Sequence, residues 1–269
     1  MTVVAVLSMK GGVGKSTVSL GLASAAWARD MRALVVDLDP QANATMALDA
    51  VGAPFTTSDV LADPRPGVAA DAVVDSAWGP TVRVLGAERS LEHRNSRQGG
   101  KSAGRLRTGL ATVPRDYGVV VIDCPPSLGE LTRNALHAAD RAIIVTEPNH
   151  FAVHGAAEAL EAVAVIARTA NPRLAVAAVV VNRMRPEERE HRLHADLLAA
   201  EYGALVFSPP LPECPGIPQS QRAGSPIHAW NSPGSRDVAD LFDDLLDAVL
   251  PPPPHRSAVP AFSLRKYLA

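Results

Sequence analysis

Residues 6–20 read VLSMKGGVGKSTVSL, and this stretch decides the fold. A short, mostly apolar run precedes a run of glycines, and a helix-forming segment follows. The ordinary phosphate-binding loop is spelled G-x-x-x-x-G-K-[ST]. Counted back from Gly14, Lys15 and Ser16, the first glycine would fall at position 9, which is Met9, and a second lysine, Lys10, stands next to it. A glycine-rich turn between a strand and a helix points backbone N–H groups inward, while the helix start adds positive potential. Gly11, Gly12 and Gly14 let the chain approach a phosphate, with Val13 and Thr17 lining the same turn. Lys15 can neutralise phosphate charge, and the Ser16 hydroxyl can reach Mg²⁺. The chain has only four lysines, and two are here.

Outward from the loop, short apolar runs alternate with amphipathic segments. The runs are 2–8, 33–37, 81–86, 117–123, 141–147, 174–182 and 203–208; helical patterns cover 15–30, 154–170 and 236–250. Near-continuous β-branched runs suit parallel strands covered on both faces. The alternation predicts an α/β fold, a doubly wound and mostly parallel sheet. Residues 50–80, rich in Pro, Asp, Ala and Gly, read as loops with a short helix. One domain is expected over 1–250. Four prolines at 251–254 end the last helix, leaving 251–269 as a flexible Pro-rich tail.

Composition narrows the classes. With 269 residues, 47% of them hydrophobic, the chain can bury a large core, and its net charge of −2 favours no partner by itself. Two isolated cysteines, Cys124 and Cys214, form no metal or redox pair and fit a reducing compartment. The apolar start is too short for a signal segment, and no run approaches the roughly 18 residues of a membrane span. A cytoplasmic location is expected.

Carboxylates mark the strand ends. Asp37 and Asp39 close the second run and Asp123 closes VVVID, where open α/β sheets bind ligands. Such residues also serve as turn formers and helix caps, a reading that stays open for Asp37 above all.

KGGVGKST with Lys10, VVDLDPQANAT (35–45) and VVVIDCPPSLGELTRNAL (119–136) together resemble the ParA/MinD family of deviant Walker A partition ATPases, in order and at family spacing. The resemblance runs from residue 2 to about 250 and implies a P-loop NTPase fold with ATP and Mg²⁺ as cofactors. It implies slow ATP hydrolysis stimulated by a ParB-like or other partner, and a homodimer formed on ATP. Lys10 would reach the other protomer's phosphates; a lysine that merely serves its own loop is the local alternative. Asp39 would orient the attacking water. Ser16, Asp37 and Asp123 would serve the metal. Asn182 would contact adenine, or be a turn residue, and Pro210 and Pro212 of PPLPE (209–213) would cover the base. A redox role like that of the related nitrogenase iron protein is not expected, since Cys124 reads as a small buried hydrophobe.

Two outputs fit such a switch. Non-specific DNA binding needs cations tracking phosphates. Arg183, Arg185, Arg189 and Arg192 (182–192) supply some, interleaved with Glu187, Glu188 and Glu190; Arg222 stands alone where the family often has a basic loop and this chain reads LPECPGIPQSQ. A second basic stretch holds Arg89, Arg94, Arg97, Lys101, Arg105 and Arg107. No helix-turn-helix precedes the first run, so operator binding is not expected; nucleoid association follows if DNA binding holds. The alternative is a MinD-like membrane switch through 259–269, where Leu264, Tyr267 and Leu268 lie near Arg265 and Lys266. Pro260 limits that apolar face, so membrane binding is not expected. A tyrosine-kinase reading fails for want of a C-terminal tyrosine cluster.

Overall fold

The computed structural model describes residues 1–95 and 102–250. In chain order its elements begin with β1 (Thr2–Leu7), α1 (Lys15–Ala28), β2 (Ala33–Asp37), α2 (Asn43–Ala47), α3 (Thr57–Ala62), α4 (Val68–Ala72), β3 (Val73–Ser76) and β4 (Gly79–Leu85). Next come α5 (Arg105–Leu110), β5 (Val119–Asp123), α6 (Glu130–Ala138), β6 (Arg141–Thr146) and α7 (Ala152–Thr169). The last are β7 (Ala175–Val181), α8 (Arg189–Tyr202), α9 (Gly216–Arg222) and α10 (Ser235–Val249). The strands form one sheet in the order β3-β4-β2-β5-β1-β6-β7, all parallel except β3, which pairs antiparallel with β4.

Side chains alternate across each strand, so both faces of this sheet must be covered. Val3, Ala5 and Leu7 of β1 join a core with α3, α5, α6, α7 and α8, whereas Val4 and Val6 face α1 and α10. Helix α10 lies close on α1 because Gly21 has no side chain: a Cβ there would come 2.3 Å from the buried Phe242 ring.

The predicted strands at 2–8, 33–37, 81–86, 117–123, 141–147 and 174–182 are all present, with ends that shift by two residues or fewer. The run 203–208 is not a strand. Gly203–Leu205 form a 3-10 turn, and only Val206 bridges to Val179. Gly203 and Ala204 are exposed, so that run lacks the second apolar layer a central strand needs. Residues 50–80, read as loops and one helix, contain α3, α4 and the edge strand β3. A four-residue edge strand carries too little periodicity to stand out from its surroundings. Arg97, Lys101 and the tail 251–269 lie outside the described residues.

Candidate nucleotide site

Three strand ends converge. β1 lies between β5 and β6, and β2 pairs with β5 so that Asp37 and Asp123 sit side by side in register. Cys124 N–H donates to the Val6 carbonyl (3.1 Å) and Leu38 N–H to the Asp123 carbonyl (2.9 Å), tying β1, β5 and β2 together just where they end. The glycine loop crosses above that edge and turns into α1 at Lys15.

The loop's shape comes from its residues. Gly12 (φ 83°) and Gly14 (φ 94°) adopt the left-handed region that side chains resist. Gly14 is doubly constrained, since a Cβ there would lie 2.1 Å from Asn182 Nδ2. The Ser8 hydroxyl donates to the Lys10 carbonyl (2.7 Å), and α1 begins with the Val18 N–H bond to the Gly14 carbonyl (3.0 Å). Lys15 is buried, whereas Lys10 keeps 58% of its side chain exposed and lies 3.8 Å from Glu147.

Beneath the loop, the Ser16 hydroxyl donates to Asp123 Oδ2 (2.6 Å) and the Ser19 hydroxyl to Asp123 Oδ1 (3.0 Å). Ser19 was not singled out from the sequence. Its signal is the spacing: three residues after Ser16, it lies on the same helix face. Burial first, then the charge of Asp37, pushes the Asp123 carboxyl up to about 7. Asp37 is also raised, chiefly by burial, although donors from Thr45 and Asp39 oppose the rise. Its Oδ1 accepts from Asp39 N–H (3.0 Å), and its Oδ2 from Thr45 N–H (2.9 Å) and the Thr45 hydroxyl (2.8 Å). That hydroxyl in turn accepts from Ala87 N–H (2.8 Å). All three donors to Asp37 belong to the segment after β2, so the carboxylate pins that segment, the turn-forming role left open for it. Asp39, also buried, accepts from Gln41 N–H (3.0 Å) through Oδ1.

The residues fit a phosphate and a hard divalent cation. The glycine loop and one buried lysine suit a phosphate, and one hydroxyl with two buried carboxylates offers the hard oxygen donors that Mg²⁺ takes. Cys124 offers nothing comparable: it is buried, its Sγ lies 3.9 Å from the Ile122 carbonyl, and burial pushes its thiol well above the usual range.

On the far side, Asn182 follows β7, with its Nδ2 donating to the Val13 carbonyl (2.8 Å). It thus braces the glycine loop from below. The 209–213 loop runs beside it: Leu211 N–H donates to the Val181 carbonyl and Met184 N–H to the Leu211 carbonyl, each at 2.9 Å. This leaves Pro210 and Pro212 half-buried next to Asn182.

The basic candidates scatter. Arg183 pairs with Glu147 (2.9 Å), beside the glycine loop. Arg185 pairs with Glu188 (2.7 Å) and with Glu213. Arg192 donates to the Pro186 carbonyl. Arg189 and Arg222 are exposed without an ion pair among the described residues. Arg94 donates to Ser58 (3.1 Å), and Arg105 to the Leu61 (2.8 Å) and Ala62 (2.7 Å) carbonyls at the end of α3. Both guanidinium groups thus donate to α3. No helix among the described residues is long and apolar enough to cross a membrane.

A deviant phosphate loop set over Asp37 and Asp123 at the carboxyl edge of a parallel sheet defines a P-loop NTPase. Residues 1–176 match the AAA domain family model. The chromosome partitioning protein ParA of Caulobacter vibrioides is 30% identical over 84% of this chain and 86% of its own. The sporulation initiation inhibitor protein Soj of Bacillus subtilis is 29% identical over 92% and 97%. Among solved structures, cobyrinic acid a,c-diamide synthase from Mycobacterium smegmatis, with a bound ATP analog and magnesium, superposes with a TM-score of 0.76 at 28% identity, over 92% of this chain and 95% of that one. The chain belongs to the ParA/MinD family of P-loop ATPases.

Proposed function

We propose that the chain is a slow ATPase that dimerises on ATP and acts in positioning DNA or another large cargo. The observation that carries this reading is the contrast between the two loop lysines. Lys15 is buried over the Asp123 carboxylate, in the place of a group serving its own nucleotide. Lys10 is largely exposed at the loop rim, where it would meet a second molecule. Ser16 and Asp123 would hold Mg²⁺, with Asp37 fixing the segment after β2 behind them. The backbone of Gly11 to Gly14 would take phosphate oxygens. Thr17, Asn182, Pro210 and Pro212 would border the nucleoside. Bound Mg²⁺ would neutralise charge on the transferring phosphoryl group, leaving the protein mainly to position and to shield. Asp39, buried beside Asp37, would orient the attacking water.

DNA bound without sequence preference in the ATP state is the output we favour, with a ParB-like partner stimulating turnover and a nucleoid location following from it. Arg189, Arg192 and Arg222 are the better candidates for phosphate contacts, because acidic neighbours already neutralise Arg183 and Arg185. Support for this output is the likeness to ParA and Soj; a MinD-like membrane output would rest on 259–269, outside the described residues.

Two measurements test the reading. Sedimentation with Mg²⁺ and ATP should give dimers for the wild type and monomers for Lys10→Ala; a dimeric Lys10→Ala refutes the cross-protomer role. Fluorescence anisotropy on random-sequence DNA should show binding with ATP, none with ADP, and loss with rising salt. Absence of binding in both states would refute the DNA output and leave the ATPase standing.

A further inference from the structure

Glu147, just beyond β6, is shared by two cations. Its Oε1 lies 2.9 Å from Arg183 Nη1 and its Oε2 3.8 Å from Lys10 Nζ. The arrangement is built by the backbone. Asn182 N–H donates to the Thr146 carbonyl (2.8 Å), locking the ends of β6 and β7 together, so Glu147 and Arg183 are held as neighbours. Arg183 also adopts a left-handed conformation (φ 56°), uncommon for a residue with a side chain. One carboxylate therefore faces one cation at hydrogen-bond distance and a second at a longer, weaker distance, and the two cations compete for it.

On the reading of Lys10 given above, the lysine must leave Glu147 before it can reach another protomer. We propose that Glu147 is a positioning residue that restrains Lys10 in the nucleotide-free chain, and that Arg183, by occupying the same carboxylate, keeps the restraint weak. The three side chains set how much nucleotide is needed to join two copies. The carboxylate touches no reacting atom in this scheme; it acts through the lysine.

The scheme predicts effects of opposite sign, which a merely structural role would not produce. Glu147→Gln keeps the shape and frees Lys10, so the dimer should form more readily. An exposed pair is weak, but two of them break per dimer, giving a roughly threefold to twentyfold gain in the dimerisation constant. Arg183→Asn, with a residue that tolerates the left-handed conformation, leaves Glu147 wholly to Lys10 and should weaken the dimer. The double variant should behave like Glu147→Gln alone, because without the carboxylate nothing is left to compete for. All differences should shrink in about 1 M salt, where exposed charges are screened.

The experiment is sedimentation equilibrium of the full chain with a non-hydrolysable ATP analog and Mg²⁺, on wild type, both single variants and the double. Glu147→Ala serves as a second neutral form should the glutamine variant misfold. ADP affinity, measured by calorimetry on the monomer, should stay unchanged in Glu147→Gln. A dimer unchanged or weakened by both neutral forms, or strengthened by Arg183→Asn, overturns the proposal. Lys10→Ala, run alongside, separates the two claims. If it dimerises normally the cross-protomer reading fails; if it stays monomeric while Glu147→Gln matches wild type, only the restraint fails.

Discussion

The floor of the site and its rim are built on different terms. On the floor, Lys15, Asp37, Asp39 and Asp123 are buried, and the three carboxylates accept hydrogen bonds at 3.0 Å or less. On the rim, Lys10, Glu147 and Arg183 are at least partly open to solvent and held by ion pairs alone. Buried polar groups cost dearly when a partner is lost, whereas exposed pairs are worth little and exchange freely. The floor is therefore suited to hold a ligand in one geometry, and the rim to change partners.

Substitutions should expose that contrast, beginning with the floor. Gly14→Ala places a methyl at 2.1 Å from Asn182 Nδ2 in a left-handed backbone, so calorimetry should detect no ATP binding and thermal melts should show a less stable fold. Lys15→Ala should lower ATP affinity by roughly tenfold to a hundredfold, the value of a charge-assisted hydrogen bond or two. If either variant binds ATP like the wild type, the floor is not the phosphate site.

Next comes the pH dependence of the metal-free chain. The Asp123 carboxyl sits at about 7 when folded and is raised from 3.8, so folding has to bury charge above pH 7 and takes up a proton below it. Stability from this group is thus lost as pH rises through about 7 and regained on acidification. Asp123→Asn should accordingly raise the melting temperature at pH 8 by several degrees, by roughly half as much at about pH 5.5 and by little near pH 4; equal gains throughout would mean that the charge is already compensated. His228 acts in the opposite direction. Burial holds its imidazole below the usual range, so protonation destabilises the fold as pH drops below about 6.5. His228→Gln should flatten that acid limb in thermal melts.

The smallest effects concern the arginines. Arg189→Ala should reduce the salt slope of DNA binding by roughly one unit, as expected for a lost phosphate contact. Arg185→Ala should reduce it less, because Glu188 and Glu213 already hold that guanidinium. Equal losses would place both on the DNA.

Much of this was legible beforehand. VVVID ends in an aspartate under the glycine loop because a buried parallel strand can place charge only at its end, and that pattern is local. The convergence of Asp37 with Asp123 follows from strand order, which no single run encodes. Ser19 could have been found from helical spacing. Thr45 could not, because its bond to Asp37 depends on a loop path. Glu147 carries the same strand-end signal as Asp123 but went unread. In 203–208 the apolar run matched a strand, yet the chain there meets only one neighbour, at Val179.

The sequence alone determined the class of fold, the glycine loop and the aspartate that ends VVVID, since each rests on short-range spacing that backbone geometry constrains, and the resemblance of three ordered motifs gave the family. Only the tertiary structure decided which charges are free. Arg183, Arg185 and Arg189 look alike in one basic stretch, but Glu147 and Glu213 lie 36 and 28 residues from the arginines they bind. Ion pairs form between groups that folding brings within a few ångströms, and sequence distance carries no record of that meeting.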